Sequence, residues 1–282
     1  MTARPRRARA AAGQRGVALA IVLWFIAGMS LLVAGIVSHA RVDTRLAQLH
    51  VARAEVAAAG DGAIQLMLVE LVAGRVTRRG GVLTVPDRFR LGALEVAVEA
   101  VPTAGLVDLN SASAEILRAL FGLAAGLDAA QAQTIADNVL QWRSTAPRAG
   151  AGAGMSRFNA VEDLLRVDGV NRSLLDAVRD YVAAGVSAQA GTSWPLAPDA
   201  VLAVMQQADP QRAASILQTR RQVEQAATGP TTTRGAFRVD ARVTYGDQVW
   251  LRRRWVAMAS ASGEDPLPWQ VLRTETPRVL RQ

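Results

Sequence analysis

The chain has 282 residues, half of them apolar, a net charge of +8 and no cysteine. That excludes a disulfide framework and any thiolate metal site, and leaves enough apolar material for a packed core. Every basic side chain is arginine. Removing Arg4, Arg6, Arg7, Arg9 and Arg15, which precede the first apolar run, takes the +8 to +3, so charge alone is weak evidence for a nucleic-acid partner.

From Val17 to Val37 the sequence carries no charge. As a helix these 21 residues span ~31 Å, about one bilayer core, and exceed the 7–15 apolar residues usual in a secretion signal. "SHA" at Ser38 to Ala40 imitates a signal-peptide cleavage site, but the length favours a retained helix. Arginines cluster before it, and only Arg41 and Arg45 follow closely. The positive-inside rule therefore predicts a single pass with the N-terminus cytoplasmic and the remainder across the membrane.

The helical pattern continues beyond the apolar run. Val42, Leu46, Leu49, Val56, Ala63, Met67 and Val69 recur mostly at three- and four-residue steps, opposite Arg45, Gln48, Arg53 and Glu55. One helix from about Val17 to Val72 is expected, with a local bend at Gly60 and Gly62 because each glycine weakens it by ~1 kcal/mol.

Arg15-Gly16 followed by Val17 and a long apolar helix resembles the N-terminus of type IV pilins and type II secretion pseudopilins. The resemblance implies a leader of residues 1–16, cut by a prepilin peptidase between Gly16 and Val17, with methylation of the new N-terminus. Most such proteins carry glutamate at the fifth mature position; here it is Ile21. A carboxylate in a bilayer is costly unless paired. The resemblance implies that its partner is the N-terminus of a neighbouring subunit, which a subunit at the filament tip does not need. The K component, a minor pseudopilin, is the member known for lacking it.

Downstream, "VLTV" and "ALEVAVEAV" read as strands, the second alternating Leu94, Val96 and Val98 with Glu95, Ala97 and Glu99. Residues 80–107 thus begin a β domain. Residues 108–227 read as helical: "LNSASAEILRALF" with Asn110 and Ser111 as N-cap candidates, a second helix from Asp128 to about Trp142, a hairpin turning at Gly169, and one or two helices after Pro198. "RAGAGAGMS" and "TGPTTTRG" read as a loop and a linker. "GAFRVDARVTYGDQVWLRRRWVAMAS" is a β-hairpin with "YGDQ" as its turn, and residues 235–282 complete the β domain. "WLRRRW" fits an edge or half-covered strand defended by charge.

The fold class is therefore α+β: a long N-terminal helix (17–73, with 17–37 transmembrane) and a small antiparallel sheet interrupted by a large all-α insertion. This order resembles the K pseudopilin, with "GLVDLNSASAEILRAL" and "FNAVEDLLRVDGV" similar to stretches of its insertion. The resemblance implies a minor pseudopilin at the pseudopilus tip, supporting export of folded periplasmic proteins across the outer membrane. Its implied partners are the I and J components, the H component, the major pseudopilin, the prepilin peptidase and the bacterial inner membrane. Val42, Leu46 and Leu49 are the expected helix-packing stripe.

The alternative is a membrane-anchored helix-hairpin-helix protein for DNA binding or uptake. Against it, Asn171 stands where a second turn glycine would present N–H groups to phosphate, Asp168 repels phosphate, and no basic cluster surrounds the turn. No nucleic acid is expected. No nucleophile elbow, P-loop or metal-spacing motif marks an enzyme, and His39 and His50 read as interface or packing residues. Asp108, Asp128, Asp137, Glu162, Asp163 and Asp168 offer oxygen ligands for calcium, an ion associated with some K components. Without a D-x-D-x-D-G loop none is assigned as a ligand, and no cofactor is expected.

Overall fold

The computed structural model describes residues 14–144, 157–185, 191–226, 235–258 and 267–280. The loop and linker expected around 148–156 and 228–234, and leader residues 1–13, lie outside them. The chain divides into two units, residues 1–54 and 55–282. Helix α1, Gln14–Val72, is continuous in both.

The head, residues 55–282, is built on one antiparallel sheet. Its strands are β1 (Thr77–Arg79), β2 (Val82–Thr84), β3 (Phe89–Leu91), β4 (Leu94–Pro102), β7 (Gly235–Tyr245), β8 (Gln248–Met258), β9 (Trp269–Thr274) and β10 (Arg278–Val279). The order is β1-β2-β4-β7-β8-β10, with β3 also on β4 and β9 also on β8. The Gly246-Asp247 turn fixes the long hairpin's register, so Tyr245 faces Gln248 and Asp240 faces Arg253.

Between β4 and β7 lies the helical insertion. It holds α2 (Ala114–Ala125), α3 (Ala129–Ser144), a 3-10 segment (Val161–Arg166), α4 (Arg172–Val178), α5 (Asp199–Ala208) and α6 (Pro210–Ala226). A small parallel pair not expected from the sequence, β5 (Val107–Asp108) and β6 (Val182–Ala183), joins its two halves. The expected α+β architecture, with a long helix and a sheet interrupted by an all-α insertion, is the one observed.

Each sheet face buries a different partner. One packs on the last five turns of α1: Val56, Ala59, Ala63, Ile64, Met67, Leu68 and Leu71 cluster with Val96, Val98, Val239, Ala241, Val243 and Trp250. The large aliphatic members contribute roughly 1.5–3 kcal/mol each. The other face supports the insertion through Val101 and Trp255, which join the core containing Leu117, Phe121, Val139 and Phe158.

Several expectations change in detail. Val69 is 46% exposed; two residues past Met67 it is rotated about 200° from the stripe, and Leu68 and Leu71 take that face. The cap of α2 is Ser113, whose side chain accepts from the Ile116 N–H. Asn110 and Ser111 are used elsewhere: Asn110 clamps the Phe158 backbone in both directions, at 3.0 and 2.8 Å, and Ser111 donates to buried Asp108 at 2.7 Å. The first arm of the Gly169 hairpin is 3-10 rather than α, which suits a six-residue piece closed by a sharp turn.

Strand β8 is not an edge. It pairs with β7 on one side and with β9 and β10 on the other, so its arginines face packed layers.

The insertion docks on the β1–β2 turn through a close backbone approach. Gly81 has φ +79°, and a Cβ there would lie 2.2 Å from the Ala197 carbonyl oxygen, which also accepts from Arg220. Gly81→Ala therefore combines left-handed strain with a backbone clash. It is expected to cost about 2 kcal/mol or more, read as a lower midpoint of thermal unfolding in detergent.

Candidate assembly surface

The apolar part of α1 is left uncovered by the described residues of this chain. Residues 18–51 are exposed throughout, and among the described residues α1 is the helix long and apolar enough to cross a membrane, with a mean hydropathy of 2.5 over its most apolar window. None of that window is buried, so it is not the core helix of this chain. A length of 21 uncharged residues fits a single-pass anchor.

The residues singled out in the sequence lie along this helix. Gly16 and Val17 fall within its first turn. Ile21 is 63% exposed, four positions into the apolar run. Val42, Leu46 and Leu49 are each about half exposed and share one face beyond it. His39 and His50 are exposed on the same helix.

Within the head, a carboxylate clasp fastens α1 to the sheet. Asp61 receives Arg252 through Nε at 2.7 Å and Nη2 at 3.0 Å, and pairs with Arg254 Nη2 at 2.9 Å. Alternation along β8 sends Arg252 and Arg254 toward α1, and sends Arg253 toward the insertion. Arg252 also donates from Nη1 to the Glu275 carbonyl at 2.6 Å. The Glu275 carboxylate in turn accepts from Trp255 Nε1 and pairs with Arg179 of the insertion.

On the opposite face, charge is buried between sheet and insertion. Arg253 binds both oxygens of Asp240, at 2.6 and 2.8 Å, and reaches Asp180 Oδ1 at 2.7 Å. Arg238 donates to Asp240 Oδ2 at 3.1 Å and to the Asp180 carbonyl at 2.6 Å. Arg278 adds a bond to Asp180 at 3.1 Å. Burial pushes the Asp240 carboxyl up, but the guanidiniums of Arg238 and Arg253 outweigh it and hold it down to about 2. Asp180 is lowered by the same competition. For Arg253 the carboxylates beat burial and its pKa is raised; for Arg238 burial wins and it is lowered. Both remain cationic, since arginine does not deprotonate in proteins.

The hairpin turn at Gly169 is occupied by packing. Its φ is +84°, a Cβ would meet Ile135 Cδ1 at 2.6 Å, and Asn138 of α3 donates to the Asp168 carbonyl at 2.9 Å. Asn171 caps α4, accepting from the Leu174 N–H at 2.9 Å.

The six carboxylates considered for calcium are dispersed. Asp108 accepts from Asn110, Ser111 and Gly191, Asp128 from the Gln131 N–H, and Asp137 from Gln133. Glu162 pairs with Arg273, and Asp163 accepts from the Asn159 and Ala160 N–H groups. Asp168 lies in the Gly169 turn. Among the described residues no three His, Asp or Glu side chains gather as metal ligands.

A solved chain from the GspK-GspI-GspJ complex of the enterotoxigenic Escherichia coli type 2 secretion system is similar to this one. The likeness covers 85% of this chain and 99% of that one, with a TM-score of 0.46 and 14% identity. At those values the likeness carries no weight for function. No family model and no curated protein matches the chain.

Sequence reasoning passed over the two charge clusters. Their signals were present: the turn register places Asp240 opposite Arg253, and alternation in "WLRRRW" puts Arg252 and Arg254 on the α1 side. Asp61 gave no comparable sign, because its partners lie 191 and 193 positions away.

Proposed function

We propose that this chain is a minor pseudopilin of a type II secretion system, acting at the tip of the pseudopilus as a structural component and not as an enzyme. The observation that carries the reading is α1 itself. Its residues 18–37 are apolar, uncharged and exposed, and its last turns are the core helix of a head bearing a bulky helical insertion. Such a helix is suited to wait in the inner membrane and then to pack laterally with equivalent helices, using the stripe of Val42, Leu46 and Leu49. Ile21, in place of a carboxylate, suits a subunit with none above it. The insertion extends the head on the sheet face opposite α1, which suits a cap better than a stacked layer.

In this reading a prepilin peptidase cuts between Gly16 and Val17, and Val17 is methylated. The head is periplasmic and the partners are the I, J and H components with the major pseudopilin. Growth of the fibre beneath the tip then drives folded proteins through the outer membrane.

The deciding experiment is the N-terminal mass of the protein extracted from membranes. A start at methylated Val17 is expected. A start after Ala40, or an intact Met1, overturns the assignment. Gly16→Leu is expected to leave the full precursor uncut and to abolish secretion, checked by the same mass and by exoprotein in the medium.

A further inference from the structure

The exposed half of α1 carries a charge feature that lateral helix packing does not use. Arg41 and Arg45 are one turn apart and both exposed. Among the described residues neither has an ion-pair partner. Asp43 lies between them in sequence but about 200° round the helix from each. The two arginines, with Val42 beside them, stand at one end of a shallow open groove along the surface of α1, which continues over Val37, Val33, Met29 and Ile26.

Depth gives the groove a meaning. If residues 17–37 fill the bilayer core, Arg41 stands about 6 Å beyond Val37, in the headgroup layer, and Arg45 about 12 Å beyond it, just outside that layer but with its side chain leaning back along the helix toward it. The groove then reads from apolar to cationic in the order in which a phospholipid reads from acyl chain to phosphate. Guanidinium is the side chain best matched to phosphate oxygens, and phosphate is the abundant anion at that depth. We propose that this strip is a binding site for an anionic phospholipid of the outer leaflet of the inner membrane. Its acyl chain lies along Ile26 to Val37 and its phosphate between Arg41 and Arg45. The proposal rests on the membrane-spanning reading of α1. Of the proposed packing stripe Val42 also borders this groove, while Leu46 and Leu49 do not, so a bound lipid leaves those two open.

The test uses the full chain in nanodiscs containing equal parts of phosphatidylcholine and phosphatidylglycerol, with the lipids retained on release counted by native mass spectrometry. Phosphatidylglycerol is expected in excess, roughly fivefold for each arginine. Arg41→Gln with Arg45→Gln is expected to return the count to the disc ratio, and Arg41→Lys with Arg45→Lys to keep part of the excess. Equal retention by the unmodified chain overturns the site. So does an excess that survives the glutamine pair, the result expected if leader arginines hold the lipid or if these two serve a neighbouring protein. A chain that does not enter the discs at all overturns the membrane reading and the site together.

Discussion

Asp240→Ala is expected to lower the unfolding free energy of the detergent-solubilised chain by about 3–5 kcal/mol, the cost of leaving buried charge without its partner. Asp240 is 1% exposed, and the two guanidiniums on it, those of Arg238 and Arg253, are 5% and 2% exposed. Removing the carboxylate leaves Arg253 bonded to half-exposed Asp180, and leaves Arg238 with the Asp180 carbonyl as its hydrogen-bond partner among the described residues. Adding Arg253→Met to Asp240→Ala is expected to recover part of the loss, because a buried apolar side chain costs less there than an unpaired cation. If the double variant is as damaged as the sum of the singles, the pair is not the coupled unit described.

The same carboxylate sets an acid limit. Its folded pKa is about 2 against an ordinary 3.8, a depressed value. Its contribution, roughly 2–3 kcal/mol, is present above the unfolded value and is lost as pH falls from about 4 through 2. Thermal midpoints measured from pH 5 to pH 2 are expected to drop steeply in that window, and the slope is expected to flatten in Asp240→Asn.

What the sequence showed best was what repeats locally. The 3.6-residue period over α1, the two-residue period of β4 and the Gly246-Asp247 turn are each decided within a few positions. They placed the helix, the hairpin and the interruption between strands. What it showed poorly depends on distant partners. Ser113 caps α2 because Asn110 is committed to Phe158, 48 residues away, and "WLRRRW" looked like an edge because the strands that cover it, β9 and β10, are short and begin eleven residues after β8 ends. Of the proposed assembly surface, the apolar run and Ile21 are plain in the sequence. The Asp61 clasp is not, since an exposed-looking aspartate between two glycines has no local mark of its partner.

Those glycines give the second large effect. Local propensity says that Gly60→Ala should stabilise α1 by about 1 kcal/mol. The packing says otherwise. A Cβ at position 60 would lie 2.6 Å from Arg252 Cβ and 2.8 Å from its Cγ, close to the β8 backbone where little can yield. Relief requires α1 to move off the sheet, which lengthens the Asp61 bonds to Arg252 and Arg254 and opens the contacts of Val56, Ala63 and Ile64. Overpacking costs typically 1–3 kcal/mol, and the buried bonds add to it. Gly60→Ala is therefore expected to destabilise the chain by about 2 kcal/mol net, seen as a lower thermal midpoint and faster hydrogen exchange in both α1 and β8. Gly28→Ala is the internal control: nothing lies within 4 Å of a Cβ there, so the same substitution on the same helix is expected to be neutral or slightly stabilising in the isolated chain. Equal responses at the two positions would mean that propensity, and not the approach of α1 to β8, explains the glycine at 60.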